Sequence, residues 1–180
     1  QIKKEGTLAI LGKVGVESQV NTTTENHQYT NTKSSITPLT DSTFLVVWES
    51  KDSSNSMDVM GSVFNHDWTL SKEEFRINET TNGEQGKPVA HGLKDGGYMI
   101  VWEDKSGSSY QVYAKIYNAD HTIRKSEFNL SSSMANNISH YDPNITQLEN
   151  GSIVVAWHNN QNYNDVIASI VSPSGDIQVA

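Results

Sequence analysis

Three stretches of the chain carry the same order of apolar and polar positions. They are Ile36-Thr-Pro-Leu-Thr-Asp-Ser-Thr-Phe-Leu-Val-Val-Trp48, Ala90-His-Gly-Leu-Lys-Asp-Gly-Gly-Tyr-Met-Ile-Val-Trp102 and Ile145-Thr-Gln-Leu-Glu-Asn-Gly-Ser-Ile-Val-Val-Ala-Trp157. Each runs from a short strand through a turn into an apolar run that closes on Trp. The Trp residues, at 48, 102 and 157, recur at intervals of 54 and 55 residues, the signature of a repeat architecture. The apolar runs lack polar alternation. Phe44, Val46 and Trp48 project to one face and Leu45 and Val47 to the other, so these strands are predicted to be covered on both sides. Asp41-Ser, Asp95-Gly-Gly and Asn150-Gly hold the turn positions that need positive φ or a side-chain cap, which predicts tight hairpins.

A third strand follows each Trp: Val59–Phe64, Val112–Tyr117 and Val166–Val171, with Gly61, Ala114 and Ala168 at the same step. Small residues there predict a close approach between sheets. A second turn comes next, as Asn65-His-Asp-Trp68, Asn118-Ala-Asp-His121 and Ser172-Pro-Ser-Gly175. The fourth strand is Glu74-Phe-Arg-Ile-Asn78 in the first copy and Glu127-Phe-Asn-Leu-Ser131 in the second, while Glu17-Ser-Gln-Val-Asn21 matches it near the start of the sequence. The third copy reaches Ala180 before its fourth strand is complete, so segment 17–21 is expected to supply a closing strand. The predicted fold is all-β: three four-stranded antiparallel units of about 54 residues each, propeller-like, with a three-sheet β-prism as the alternative. The organisation is one repeat domain, with 1–21 as leader plus closing strand and repeats over 22–78, 79–131 and 132–180. Thr7–Leu11 is an extra strand candidate outside the repeat. Helical apolar spacing is not sustained anywhere.

Composition narrows the function classes. Cysteine is absent, which excludes disulfides and thiolate chemistry. A net charge of −8, with acidic residues scattered, argues against nucleic acid and anionic membrane surfaces, since both require a basic patch. No run approaches the ~18 apolar residues that span a bilayer, so membrane insertion is not expected. Gln1 to Gly6 are polar and show no signal-peptide pattern.

The segment Pro88-Val-Ala-His-Gly-Leu-Lys-Asp-Gly-Gly-Tyr-Met-Ile-Val-Trp102, with the Glu-Phe-x-x-Asn strand and the Asn-x-x-Asp turn, resembles repeats of exported bacterial proteins of the RTX and adhesin type. It is similar also to sialidase-type propeller blades. The resemblance spans residues 16–180 and implies a secreted or cell-surface protein. The glycine-rich calcium nonapeptide of RTX proteins is missing, so calcium does not come with it.

Candidate chemistry is sparse. A sialidase-like site would use three arginines, and this chain has two, Arg76 and Arg124, at unrelated repeat positions. No serine-hydrolase elbow or zinc helix occurs. The histidines, His27, His66, His91, His121, His140 and His158, lack ligand spacing. Glu49, Glu103 and Asp104 follow the Trp strands, but His158 and Asn159 replace them in the third copy, so no repeated acid/base pair emerges. Calcium is the cofactor to consider, with Asp52, Asp58, Asp67, Asp104 and Asp120 as oxygen ligands; the same residues also serve as plain turn caps. For a glycan, Trp68, Tyr110, Tyr141 and Tyr163 lie in polar loops and turns, whereas Trp48, Trp102 and Trp157 are expected in the core. Asn21, Asn78, Asn129, Asn137, Asn144 and Asn150 begin glycosylation sequons. The expected function is a non-catalytic surface module for adhesion or assembly, with a carbohydrate-binding lectin as the alternative and a glycosidase-like enzyme beyond that. Its expected partner is a glycan or another protein, and the chain is expected either to dimerise into a completed ring or to be part of a larger chain.

Overall fold

A computed structural model describes residues 18–30, 35–51, 56–133, 137–160 and 165–179. Among these the chain forms strands and no helix. Sheet 1 holds β1 (Gln28–Tyr29), β2 (Ile36–Pro38), β3 (Thr43–Lys51), β4 (Met57–Asn65) and β5 (Leu70–Arg76). Sheet 2 holds β6 (Gln85–Gly92), β7 (Tyr98–Asp104), β8 (Gln111–Tyr117) and β9 (Ile123–Asn129). Sheet 3 holds β10 (His140–Gln147), β11 (Ile153–Asn159), β12 (Val166–Val171) and β13 (Ile177–Val179). Each is an antiparallel meander. In sheet 1 the first strand is divided, and β1 and β2 both pair with β3.

The turns adopt the conformation their residues suggest. Ser42, Gly96 and Gly151 take positive φ at equivalent places in the first hairpin, and Trp68, His121 and Gly175 do so in the second. Asp67 Oδ1 and Asp120 Oδ1 each accept two hydrogen bonds, from the backbone N–H and hydroxyl of Thr69 and Thr122 respectively. These capped turns hold the strand ends in register.

The sheets stack through their apolar faces. Leu45, Val47, Val59 and Val63 of sheet 1 pack on Tyr98, Ile100 and Trp102 of sheet 2. On the other face of sheet 2, Met99, Val101, Val112 and Ile116 pack on Ile153, Val155 and Trp157 of sheet 3. The Trp face of a sheet therefore looks back at the preceding repeat, and its other face looks forward. Gly61 lets the first junction close: a Cβ there would lie 3.1 Å from the Ile77 side chain. Trp48, Trp102 and Trp157 are all buried, as their strand positions predict.

The two outer faces differ. Sheet 1's backward face carries Val46, Trp48 and Phe64, partly covered by Val20, Phe44 and Met60. Sheet 3's forward face carries Val154, Ala156, Val166, Ala168 and Ile170, half-buried or exposed, with Val166 80% exposed. Its sheet 2 counterparts, Met99, Val101, Val112, Ala114 and Ile116, are fully buried.

Recurrent polar interlocks tie the last strand of a sheet to the chain segment that precedes that sheet. Glu127 on β9 accepts hydrogen bonds from the backbone of Glu79 and Thr80, just after the end of sheet 1. Glu74 on β5 does the same for Thr22 and Thr23. Val20 thus packs on the Trp face of sheet 1 as Ile77 packs on that of sheet 2. Val20 and Asn21 do not join β13: no described residue pairs with its free side, so the expected strand exchange between chain ends is not formed by residues 18–21. Glu17 and Thr7–Leu11 fall outside the described residues.

The Glu74 interlock has a sign in acid. Burial raises the Glu74 carboxyl, but the hydrogen bonds from Thr22 and Thr23 outweigh it, and its pKa lies below the ordinary value. A carboxylate depressed in the folded state contributes stability above its unfolded pKa and loses it as pH falls through its folded value. Denaturant unfolding between pH 6 and 3 (about the carboxylate range) is therefore expected to show stability falling below roughly pH 4.5. Glu74→Gln should fall less steeply, and an unchanged slope would contradict the interlock.

Candidate functional site

The most built polar site lies at the end of the stack where β3 and β7 finish and β6 begins. Its origin is a bulge in the first strand of a repeat. Gly86 pairs with Glu103 and Val89 with Val101, so Lys87 and Pro88 together oppose Trp102 alone. Sheet 3 repeats this, with Asp142 and Pro143 opposite Trp157. Lys87 (φ 48°) and Asp142 (φ 51°) occupy the left-handed region, which turns their backbone N–H groups away from their own sheet.

A carboxylate from the preceding repeat takes each of these N–H groups. Lys87 N donates to Glu49 Oε1 at 2.6 Å, and Asp142 N donates to Glu103 Oε1 at 2.6 Å. Glu49 packs closely over Gly86, where a Cβ would stand 3.2 Å from that oxygen. The Lys87 ammonium then bridges Asp142 Oδ1 at 2.7 Å and Glu103 Oε1 at 3.1 Å. Burial alone would lower the Lys87 pKa, but these two carboxylates outweigh it and hold it above its ordinary value. Glu103 is shifted the other way. Its burial exceeds the help from Asp142 N–H and Lys87, so its carboxyl is raised. Here desolvation wins over the ion pair.

Between these groups opens a cleft of about 190 Å³, whose walls include Glu49, Glu84, Gln85, Lys87, Glu103 and Tyr110. Tyr110 donates its hydroxyl to Glu84 Oε2 at 2.9 Å; burial, then Glu84, pushes its pKa up to about 12. Beside it runs a row of rings. Tyr110 and Tyr141 have centroids 5.2 Å apart, and Tyr141 and His158 are 5.6 Å apart. Lys105 stands 4.9 Å over the Tyr110 ring and Lys87 5.9 Å over Tyr141.

Under the cleft, one pairing differs from its repeats. In sheet 1 the indole N–H of Trp48 donates to Gln28 Oε1 at 2.9 Å, and in sheet 3 that of Trp157 donates to His140 Nδ1 at 2.9 Å. In sheet 2 the equivalent pair is open: Trp102 Nε1 and Gln85 Oε1 are both buried without a hydrogen-bond partner.

Two of the four aromatic candidates, Tyr110 and Tyr141, are thus brought together. Trp68 lies at the opposite end of the stack, beside the Thr43–Asn65 pair, where it packs edge-on against Phe44 with centroids 5.1 Å apart. Tyr163 and Asp52 fall outside the described residues. Asp58, Asp67, Asp104 and Asp120 sit in separate places, each accepting a hydrogen bond from a nearby residue. Among the described residues no group of three or more His, Asp or Glu side chains is placed to hold a metal ion. Lys87, Glu84, Gln85 and Asp142 are site residues that sequence reasoning missed. Pro88 and Pro143 were the signal, since proline inside a strand marks a bulge. Arg124 serves the turns, donating to Asp95, Asn118 and the Pro173 carbonyl.

No protein-family model matches the sequence, and no curated protein matches it.

Proposed function

We propose that the chain is a non-catalytic, extracellular surface module that acts in adhesion or assembly by adding sheets to a stack. The observation behind this reading is the forward face of sheet 3. It repeats, position for position, the two faces that are mated inside the chain, yet leaves Val166 80% exposed. A patterned apolar face of this kind marks an interaction surface. The occupant it fits is the backward face of another repeat, and a second copy supplies the uncovered part of one through half-buried Phe44 and exposed Trp68. Repetition of that contact would arrange the sheets about an axis, propeller-like, with a three-sheet prism as the alternative in which the units close by themselves. Likeness to exported adhesin repeats favours the cell surface or the medium as its place of action.

Light scattering with sizing tests this. The protein is expected to run above monomer mass in a concentration-dependent way, and Val166→Glu combined with Ile170→Glu to run as a monomer. The mass should be the same with calcium and with chelator, because Asp67 and Asp120 already take the donors of their own turns. A wild-type monomer at every concentration would refute self-assembly.

A further inference from the structure

We infer that the cleft over Gln85 and Tyr110 binds a neutral, hydroxyl-rich saccharide unit. The site is separate from the stacking face, which lies on sheet 3. Its chemistry is one-sided. The walls bring the carboxylates of Glu49, Glu84 and Glu103 and the carboxamide oxygen of Gln85 around one ammonium, that of Lys87. Acceptors outnumber donors, so the complementary ligand is rich in donors. Three carboxylates repel an anion, which sets aside uronic, sialic and phosphorylated groups.

A cationic ligand is disfavoured for another reason. The faces of Tyr110 and Tyr141 already carry the ammonium groups of Lys105 and Lys87. What remains is a neutral molecule with many hydroxyls, which the acceptors of the wall can hold beside the Tyr110 ring. The cleft, at about 190 Å³, has the scale of one such unit.

The open pair beneath it points the same way. Gln85 and Trp102 leave a buried acceptor and a buried donor that the flanking repeats satisfy directly. Leaving both unmet costs free energy, and because Gln85 belongs to the cleft wall, a ligand hydroxyl can donate to its carboxamide oxygen. Sheet 2 is the only one of the three in which this pair is open, and it is the one whose Gln lies in the wall of this cleft.

Saturation-transfer NMR and calorimetry with cellotetraose, mannotetraose, chitotetraose and tetragalacturonate test the site. At least one neutral oligosaccharide is expected to bind at ~10 mM or below, and tetragalacturonate not at all. Tyr110→Ala and Glu84→Gln are each expected to weaken binding about tenfold or more. Tyr110→Phe, which keeps the ring, guards against a folding defect and should retain most of the affinity. Trp68→Ala, at the other end, and the monomeric Val166→Glu/Ile170→Glu variant should bind as wild type. No transfer from any neutral sugar, stronger binding of tetragalacturonate, or loss on Trp68→Ala alone would overturn the site. The monomer mass and the glycan signal are read separately, so either reading fails without the other.

Discussion

Trp102→Ala is expected to lower the free energy of unfolding by about 3–5 kcal/mol, the range for removing a large aromatic from a packed core. Trp102 is fully buried between sheets 1 and 2, among Leu45, Val47 and Ile77 on one side and its own sheet on the other. The truncation leaves a cavity at the junction, and a sheet closed on both faces has little room to relax into it. Trp48→Ala should cost less, because among the described residues its cluster has only Val46 and Phe64 as buried partners. The indole N–H provides a second comparison. Trp157→Phe strands the buried His140 Nδ1, whereas Trp102→Phe removes a donor that already lacks a partner. Urea unfolding followed by far-UV circular dichroism would decide it. Equal losses for Trp102→Ala and Trp48→Ala would mean that the first junction is not the tighter-packed place described above.

Gly92→Ala should be damaging for so small a change, costing about 1–3 kcal/mol through overpacking. Its added Cβ would stand 2.3 Å from the Pro38 carbonyl oxygen, a backbone atom of sheet 1. That carbonyl cannot swing away, since β2 is pinned to β3 and Gly92 N–H donates to Thr37 Oγ1 at 3.1 Å. The sheets would have to part. Gly107→Ala is the matched control, because nothing lies within 4 Å of a Cβ at that position, and its change should stay within about 0.5 kcal/mol. A Gly92→Ala protein as stable as the control would show that the two sheets are not in rigid contact there.

Sequence patterning revealed the strands well because each repeat states its own evidence three times. Two-sided apolar runs closing on Trp48, Trp102 and Trp157 marked buried central strands, and the structure buries all three. Asp41, Asp95 and Asn150 marked turns that do hold positive φ at the next residue or the one after it. Trp68 was harder. Its place in a polar turn suggested an exposed ring, and the residue is 51% exposed, but the pattern gave no sign that the ring also packs edge-on against Phe44. The divided first strand of sheet 1 was not legible, because Gln28–Tyr29 is too short to show a strand pattern.

The cleft was illegible for a different reason. Tyr110 and Tyr141 belong to different repeats, and so do Glu49 and Lys87; only the stacking of sheets brings them together. Local pattern speaks about neighbours in sequence, while this site is made across the junctions.

The bulge opposite each Trp gives the fold a place where chain length can vary. Sheets 2 and 3 spend two residues there, Lys87-Pro88 and Asp142-Pro143. In sheet 1 the chain between Tyr29 and Ile36 has six, yet pairing resumes on either side, Tyr29 with Glu49 and Ile36 with Val46. Because closing a longer loop costs entropy only logarithmically, extra peptide can be spliced in at this joint while the strand frame around it is kept. Diversification of such repeats, by evolution or by grafting foreign epitopes, has its natural insertion point here, beside the cleft rather than in the core.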